Sequence, residues 1–190
     1  MRAINIVVTV LAVFMAGCVT DNAYLAGSSG GKASRPSLDI YFSPTGGCQK
    51  AILDIIGGAR TEIRMQAYVL TDTNIVDALC RAQARGVDVQ VALDGKFSKT
   101  SQGMRIVKAL VASKVRTWAD SKHAIAHNKV VVVDKTTVVT GSYNFSYSAE
   151  ARNAENMLVM VNARETDGRM VADRYVENWK THTEHSEEAR

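Results

Sequence analysis

The 190-residue chain carries 23 Lys and Arg against 19 Asp and Glu, a formal charge of +4. A balance this mild is ordinary for solubility; it is compatible with an anionic partner such as nucleic acid but excludes arguing for one from charge alone. No internal repeat or low-complexity segment occurs beyond one short tether, and the roughly 150 residues that follow suit one domain with a substantial core.

The chain opens with an address. Arg2 precedes an apolar run from Ile4 to Met15, too short to span a bilayer but right for a signal-peptide core, so residues 1–17 are expected to be removed on export. The run ends Met15-Ala16-Gly17-Cys18, which resembles a bacterial lipobox with Cys18 as the lipidated first residue of the mature protein. The same small residues suit ordinary signal peptidase. The expected location is the periplasmic side of the bacterial envelope, either as a soluble protein or as a lipoprotein, and Val19 after the cysteine favours the outer membrane. Residues 18–37 are small and polar, the composition of a flexible tether. A folded domain is expected over 38–182, with a polar, fraying tail over 183–190.

Within that domain the pattern alternates between the strand and helix periods. Leu38 to Phe42 reads as a strand, Ser43 to Gly47 as a turn, and Ala51, Ile52, Ile55 and Ile56 as a helical stripe ending at Gly57 and Gly58. Ile63, Met65, Ala67 and Val69 predict a half-buried strand. Thr71 or Asp72 can cap a second helix bearing Ile75, Val76, Leu79 and Ala82, stopped by Gly86. Val87, Val89, Val91 and Leu93 make the next strand. Such alternation predicts an α/β fold, a mixed β-sheet flanked by helices. Residues 94–103 read as a solvated loop, the sharper alternative being a phosphate-tracking loop with Phe97 free to stack on a base. A helix over 102–112 and a strand over 115–118 follow. Beyond residue 147, a strand from Glu155 to Val161 and a helix from Arg169 to Lys180 complete the pattern.

The stretch from His123 to Tyr147 carries the chemistry. Val130 to Val133, between turn signals, predict a buried strand beginning at or before His127. Alternation then puts His127 and Lys129 on one face, roughly 7 Å apart at Cα. Asp134 has the opposite parity and is expected to play a supporting role, pairing with a cation or capping the turn at Lys135 to Thr137. After a second strand, Gly141 frees the backbone so that Ser142 and Asn144 can aim short polar groups at the same pocket. An imidazole, an ammonium, a hydroxyl and a carboxamide together suit an anionic tetrahedral group.

These residues resemble the phospholipase D superfamily. His127, Lys129 and Asp134 match its H-x-K-x4-D signature, and Gly141, Ser142 and Asn144 its G-S-x-N companion. From about residue 38 to residue 180 the order of elements is similar to that of the short, single-motif bacterial endonucleases of the superfamily. The resemblance implies a phosphodiesterase that needs no metal or other cofactor, and places Glu155 where relatives carry an acid contacting the nucleophilic histidine. His127 would attack phosphorus and form a phosphohistidine, while Lys129, Asn144 and Ser142 hold the nonbridging oxygens.

One imidazole cannot be nucleophile and proton donor at once. A chain with one motif is therefore expected to form a two-fold homodimer in which each copy supplies one histidine. The expected substrate is DNA, with RNA left open and low sequence preference, because no base-reading motif is present. The alternatives are a phospholipase cleaving lipid headgroups and a non-catalytic module binding nucleic acid or envelope. His123 and His127 fall in loop and strand without a cysteine cluster or acidic trio, so no metal site is expected. His182 and His185 are expected to be solvent-exposed. Cys48 and Cys80 are expected near opposite ends of the sheet and unpaired.

Overall fold

Residues 35–190 are described by a computed structural model; the expected signal peptide, Cys18 and the expected tether up to residue 34 lie outside the described residues. The strand-period segments become β1 (Ser37–Ser43), β2 (Glu62–Ala67), β3 (Asp88–Asp94), β4 (Arg116–Asp120), β5 (Lys129–Val133), β6 (Thr137–Gly141) and β7 (Glu155–Val161), and the tail adds β8 (Glu187–Glu188). They form a single mixed sheet in the order β1-β7-β6-β5-β2-β3-β4-β8. The strands β2, β3 and β4 run parallel, and every other pairing is antiparallel.

The helices are α1 (Cys48–Gly58), α2 (Thr73–Ala84), α3 (Gly95–Ser98), α4 (Ser101–Ala112), α5 (Tyr147–Ala151) and α6 (Val171–Glu184). Strand parity distributes the core between the two faces. Ile63, Met65, Val89, Val91, Val131 and Val133 pack with Ile52 and Ile56 of α1, Ile75 and Leu79 of α2 and Leu110 of α4. The opposite parity of β5 and β6, Val130, Val132 and Val138, meets Ala172 and Val176 of α6. The result is a three-layer arrangement with α6 alone covering much of one face. Asp72 caps α2 by accepting from the Asn74 amide, one of the two capping residues expected from the sequence.

Four expectations are corrected. Strand β5 starts at Lys129, so His127 lies in the irregular segment before it rather than on the strand. Residues 94–103 are not a solvated loop: they form α3 and the start of α4, and Phe97 is buried in the core, unavailable to a base. The buried Asp94 carboxylate explains the difference, because it accepts from the amides of Lys96 and Phe97 and nucleates that turn. The C-terminal residues, expected to be a fraying tail, are built into secondary structure. Helix α6 continues to Glu184, and β8 pairs with β4, so the fold extends past residue 182. It also begins at Ser37, inside the segment read as tether. Cys48 and Cys80 are both free thiols, and burial beside Glu150 pushes the Cys48 pKa up to about 11.

Candidate active site

The segment leading to His127 is held from two sides. Asp94, at the end of β3, accepts the Ala126 amide at 2.9 Å, and the Asn128 carbonyl accepts from the Tyr68 amide at 2.9 Å. Tyr68 follows directly on β2 and supplies the platform. Its ring lies 4.6 Å from the imidazole of His127, centroid to centroid, and 4.8 Å below Lys129 Nζ. His127 is exposed whereas Lys129 is only 7% exposed, so a solvent-facing imidazole sits beside a largely desolvated ammonium. Lys129 Nζ donates to the His127 carbonyl at 2.7 Å, which fixes the two residues together on one side of the sheet. Burial holds the Lys129 pKa below its usual value, with the negative charge of Glu155 acting in the opposite sense.

The Gly-Ser-Tyr-Asn turn after β6 supplies the second half of the site. Gly141 has φ 151°, and a Cβ there would lie 2.3 Å from the Asn156 carbonyl oxygen, so no larger residue fits this approach to β7. Tyr143 and Phe145 point into the core, each 1% exposed, and the intervening alternation leaves Ser142 exposed and Asn144 half-buried. Phe145 ties the turn to the end of β2: its amide donates to the Val69 carbonyl, and its own carbonyl accepts from the Thr71 and Asp72 amides at 2.8 and 3.0 Å. Tyr143 donates its hydroxyl to Glu150 at 2.9 Å, anchoring α5 beneath the turn. Asn144 Oδ1, an acceptor, is buried without a hydrogen-bond partner among the described residues, and the amide of the same side chain is the group that can donate to an anionic ligand.

Two sequence-based assignments need revision. Asp134 does face away from His127 and Lys129, yet it caps neither the Lys135–Thr137 turn nor a cation. Its carboxylate accepts from the amides of Arg60, Thr61 and Glu62 and from the Thr61 hydroxyl, pinning the turn into β2. Glu155 gives its oxygens to Ser142 Oγ at 2.6 Å and Asn153 Nδ2 at 3.0 Å rather than to His127. Ser142 Oγ in turn accepts from the Asn156 amide at 3.0 Å. Tyr68 and Asp94 were missed by sequence reasoning. An aromatic just after a strand carries no local signal of what it packs on, and Asp94 resembles any helix cap until the contact to Ala126 is seen.

His182 and His185 are not solvent-exposed either. Together with His123 they surround the buried Asp120, and their ligand atoms all lie within 4.8 Å of one another. Burial alone would raise the Asp120 pKa, but hydrogen bonds from His182 and His123, with the His185 imidazole nearby, outweigh it and hold the carboxyl well below its usual range. Asp120 shares its parity on β4 with Trp118, which packs edge-on against Trp179 of α6. The cluster therefore occupies the α6 face, whereas Lys129 shares the opposite parity, that of Val131 and Val133 on β5.

A mixed sheet that presents an imidazole, an ammonium, a hydroxyl and a carboxamide at one end is built for phosphoester chemistry. The family profile described as "Cardiolipin synthase, PLD-like domain" matches residues 52–177. A phospholipase D of Rickettsia bellii is 42% identical over 146 residues, covering 77% of this chain and 69% of the relative. A mitochondrial cardiolipin hydrolase of Xenopus tropicalis is 26% identical over 145 residues, covering 76% of this chain and 62% of the relative. Among solved structures, Nuc from Salmonella typhimurium, a phospholipase D family member, superimposes with a TM-score of 0.75 at 33% identity, over 82% of this chain and 99% of that one. NucT from Helicobacter pylori, at 18% identity and a TM-score of 0.70 over 80% of this chain and 98% of that one, shares the fold. The chain belongs to the phospholipase D superfamily and is a phosphodiesterase.

Proposed function

We propose that this phosphodiesterase is an endonuclease of low sequence preference that cleaves DNA through a phosphohistidine, at a site shared across a homodimer. The observation that carries the reading is the exposed imidazole of His127 set beside the buried Lys129, within a rim of short polar side chains, Ser142, Asn144 and Asn156. Such a rim engages phosphate and sugar and offers little to a base edge. His127 attacks phosphorus, and the alkoxide leaves with a proton from the histidine of the second copy. Water then opens the phosphorus–nitrogen bond and restores the imidazole. Lys129 and Asn144 hold the nonbridging oxygens, and Glu155, through Ser142, acts as a positioning residue.

The apolar strip on β1, where Leu38, Ile40 and Phe42 are all exposed beside the site, supports a second copy as the partner. The reading of residues 1–17 and Cys18 supports an exported enzyme tethered by lipid to the outer membrane. A second reading, hydrolysis of phospholipid headgroups, is favoured by the phospholipase D names of the Rickettsia relatives and by the exposed Ile125 and Tyr147, which flank the two motif halves in sequence.

The test is incubation of the full chain with plasmid DNA and, separately, with phosphatidylcholine vesicles, both in excess EDTA. DNA degradation that disappears in His127→Ala is expected. Headgroup release with intact DNA would overturn the nuclease reading in favour of the phospholipase.

A further inference from the structure

We infer that Asp120, His123, His182 and His185 form a structural binding site for one divalent transition-metal ion of borderline softness, with zinc the best fit. The four residues come as two pairs with the same spacing. Asp120 ends β4 and His123 follows three residues later; His182 lies in the last turn of α6 and His185 is its C-terminal cap. The fold brings these pairs together at the far edge of the sheet from β1.

The geometry is convergent. A single carboxylate oxygen, Asp120 Oδ2, faces His123 Nδ1 at 2.9 Å, His182 Nδ1 at 2.6 Å and His185 Nε2 at 3.4 Å. The three imidazole centroids are separated by 4.9, 5.1 and 5.6 Å. In a tetrahedral zinc site with metal–ligand distances of about 2.0–2.1 Å, neighbouring donors stand about 3.3 Å apart. The four donor atoms here lie within 4.8 Å of one another, so side-chain adjustments of up to about 1.5 Å between donors would reach that spacing. Three histidines and a carboxylate also form a complete tetrahedral donor set, the closed arrangement of structural rather than catalytic zinc.

A second observation points to a ligand. His185 Nε2 is buried and makes no hydrogen bond among the described residues, although it is directed at Asp120 Oδ2. An unpaired imidazole nitrogen in such a place costs free energy unless something fills it. Asp120 is meanwhile held in orientation, because its other oxygen accepts the Lys122 and His123 amides at 3.1 and 3.4 Å and also lies 3.2 Å from His123 Nδ1, while Oδ2 faces all three histidines. That is the supporting contact a metal-bound carboxylate ordinarily has. The side chain of Asp120 is 1% exposed and that of His123 is 44% exposed, so the cluster is enclosed on the sheet side and open to entry on the other.

The ion would staple the end of α6, and β8 beyond it, to β4. Its role is structural, since none of the four ligands belongs to the set formed by His127, Lys129, Ser142 and Asn144.

The experiment uses the full chain, stripped with EDTA, desalted and titrated with Zn2+ against a chromophoric chelator, with thermal unfolding followed in parallel. One ion per chain, a higher Tm with zinc, and the intense visible absorption of tetrahedral Co2+ on substitution are expected. Affinity should fall more than about 100-fold in His182→Ala and in Asp120→Asn, beyond the loss seen for outer-shell partners, and be unchanged in His127→Ala. The proposal is overturned if the stripped wild type takes up no zinc and gains no stability, or if His127→Ala abolishes uptake. Because the wild-type titration stands alone, a variant that fails to fold leaves the test decisive. Phosphodiesterase activity at 25 °C that vanishes on stripping and returns with zinc would overturn the purely structural assignment.

Discussion

Lys129 Nζ donates to the backbone carbonyl of His127 across 2.7 Å, so the ammonium both shapes the segment that carries the imidazole and waits beside it. Two further N–H groups remain for a phosphate oxygen. In a slot this buried, the planar guanidinium of arginine does not substitute for a compact ammonium. Lys129→Arg and Lys129→Met should each lower kcat by about 100- to 1000-fold, the range for removing an oxyanion donor. Because burial lowers the Lys129 pKa, the alkaline limb of kcat should fall below the pH at which an exposed lysine titrates. For stability the sign is opposite. Between the folded pKa and the unfolded value the unfolded chain binds more protons, so this group's contribution rises with pH. A kcat profile extending flat beyond pH 10.5 would contradict the assignment.

Tyr68 is the shared floor under both side chains, and its ring rather than its hydroxyl makes the contacts to His127 and Lys129. Tyr68→Phe should therefore retain activity within a few-fold. Tyr68→Ala should lose about 10- to 100-fold in kcat, since small misplacement of a reacting group is costly. Equal losses in the two variants would mean that the hydroxyl, not the ring, carries the role.

Asp134 belongs to the signature yet acts on the fold. Its carboxylate closes the turn from Arg60 to Glu62 with charge-assisted hydrogen bonds, so Asp134→Asn should cost about 2–3 kcal/mol. For a domain of this size that corresponds to a Tm lower by about 5–10 °C. Burial would raise the Asp134 pKa, but the amides of Thr61, Glu62 and Arg60 and the Thr61 hydroxyl outweigh it and leave it lowered. Its stabilisation is thus complete above the unfolded carboxyl pKa and fades as the pH drops through the folded value. The Tm deficit of Asp134→Asn should be full at pH 7 and shrink below about pH 4. At temperatures where the variant is folded, kcat should change little.

What the sequence made legible follows from how local each signal is. Parity set Lys129 apart from Asp134, whereas His127, which lies just before the strand, is held beside Lys129 by a hydrogen bond and the Tyr68 ring; the Gly141 turn was readable because a glycine before Ser-x-Asn frees the backbone. Periodicity located seven of the strands to within two residues or so, but β8, Glu187–Glu188, has no apolar alternation; it is a strand only because β4 offers an edge. Phe97 looked free because its neighbours are Lys and Ser, whereas the Asp94 cap that turns it inward also reaches Ala126, 32 residues away in sequence. The convergence of His182 and His185 on Asp120 is a contact across 62 residues and more, made by α6 crossing the sheet. No spacing within the tail announces it.

The strip on β1 leads to the last prediction. Leu38, Ile40 and Phe42 expose 58, 56 and 63% of their surface on one face of the strand. In register beside them on β7 are Met160, Leu158 and Asn156, and Asn156 donates its amide to Ser142 Oγ at 3.0 Å. The apolar strip therefore runs directly into the polar rim of the site. A second copy seated on this strip would bury the strip and bring its own His127 toward the first. The double variant Ile40→Glu with Phe42→Glu should sediment as a folded monomer, because neither side chain is buried within one copy, and lose more than about 100-fold in kcat through loss of the proton donor. A monomer with full activity would refute the shared site. A variant that stays dimeric and active would place the interface elsewhere on the molecule.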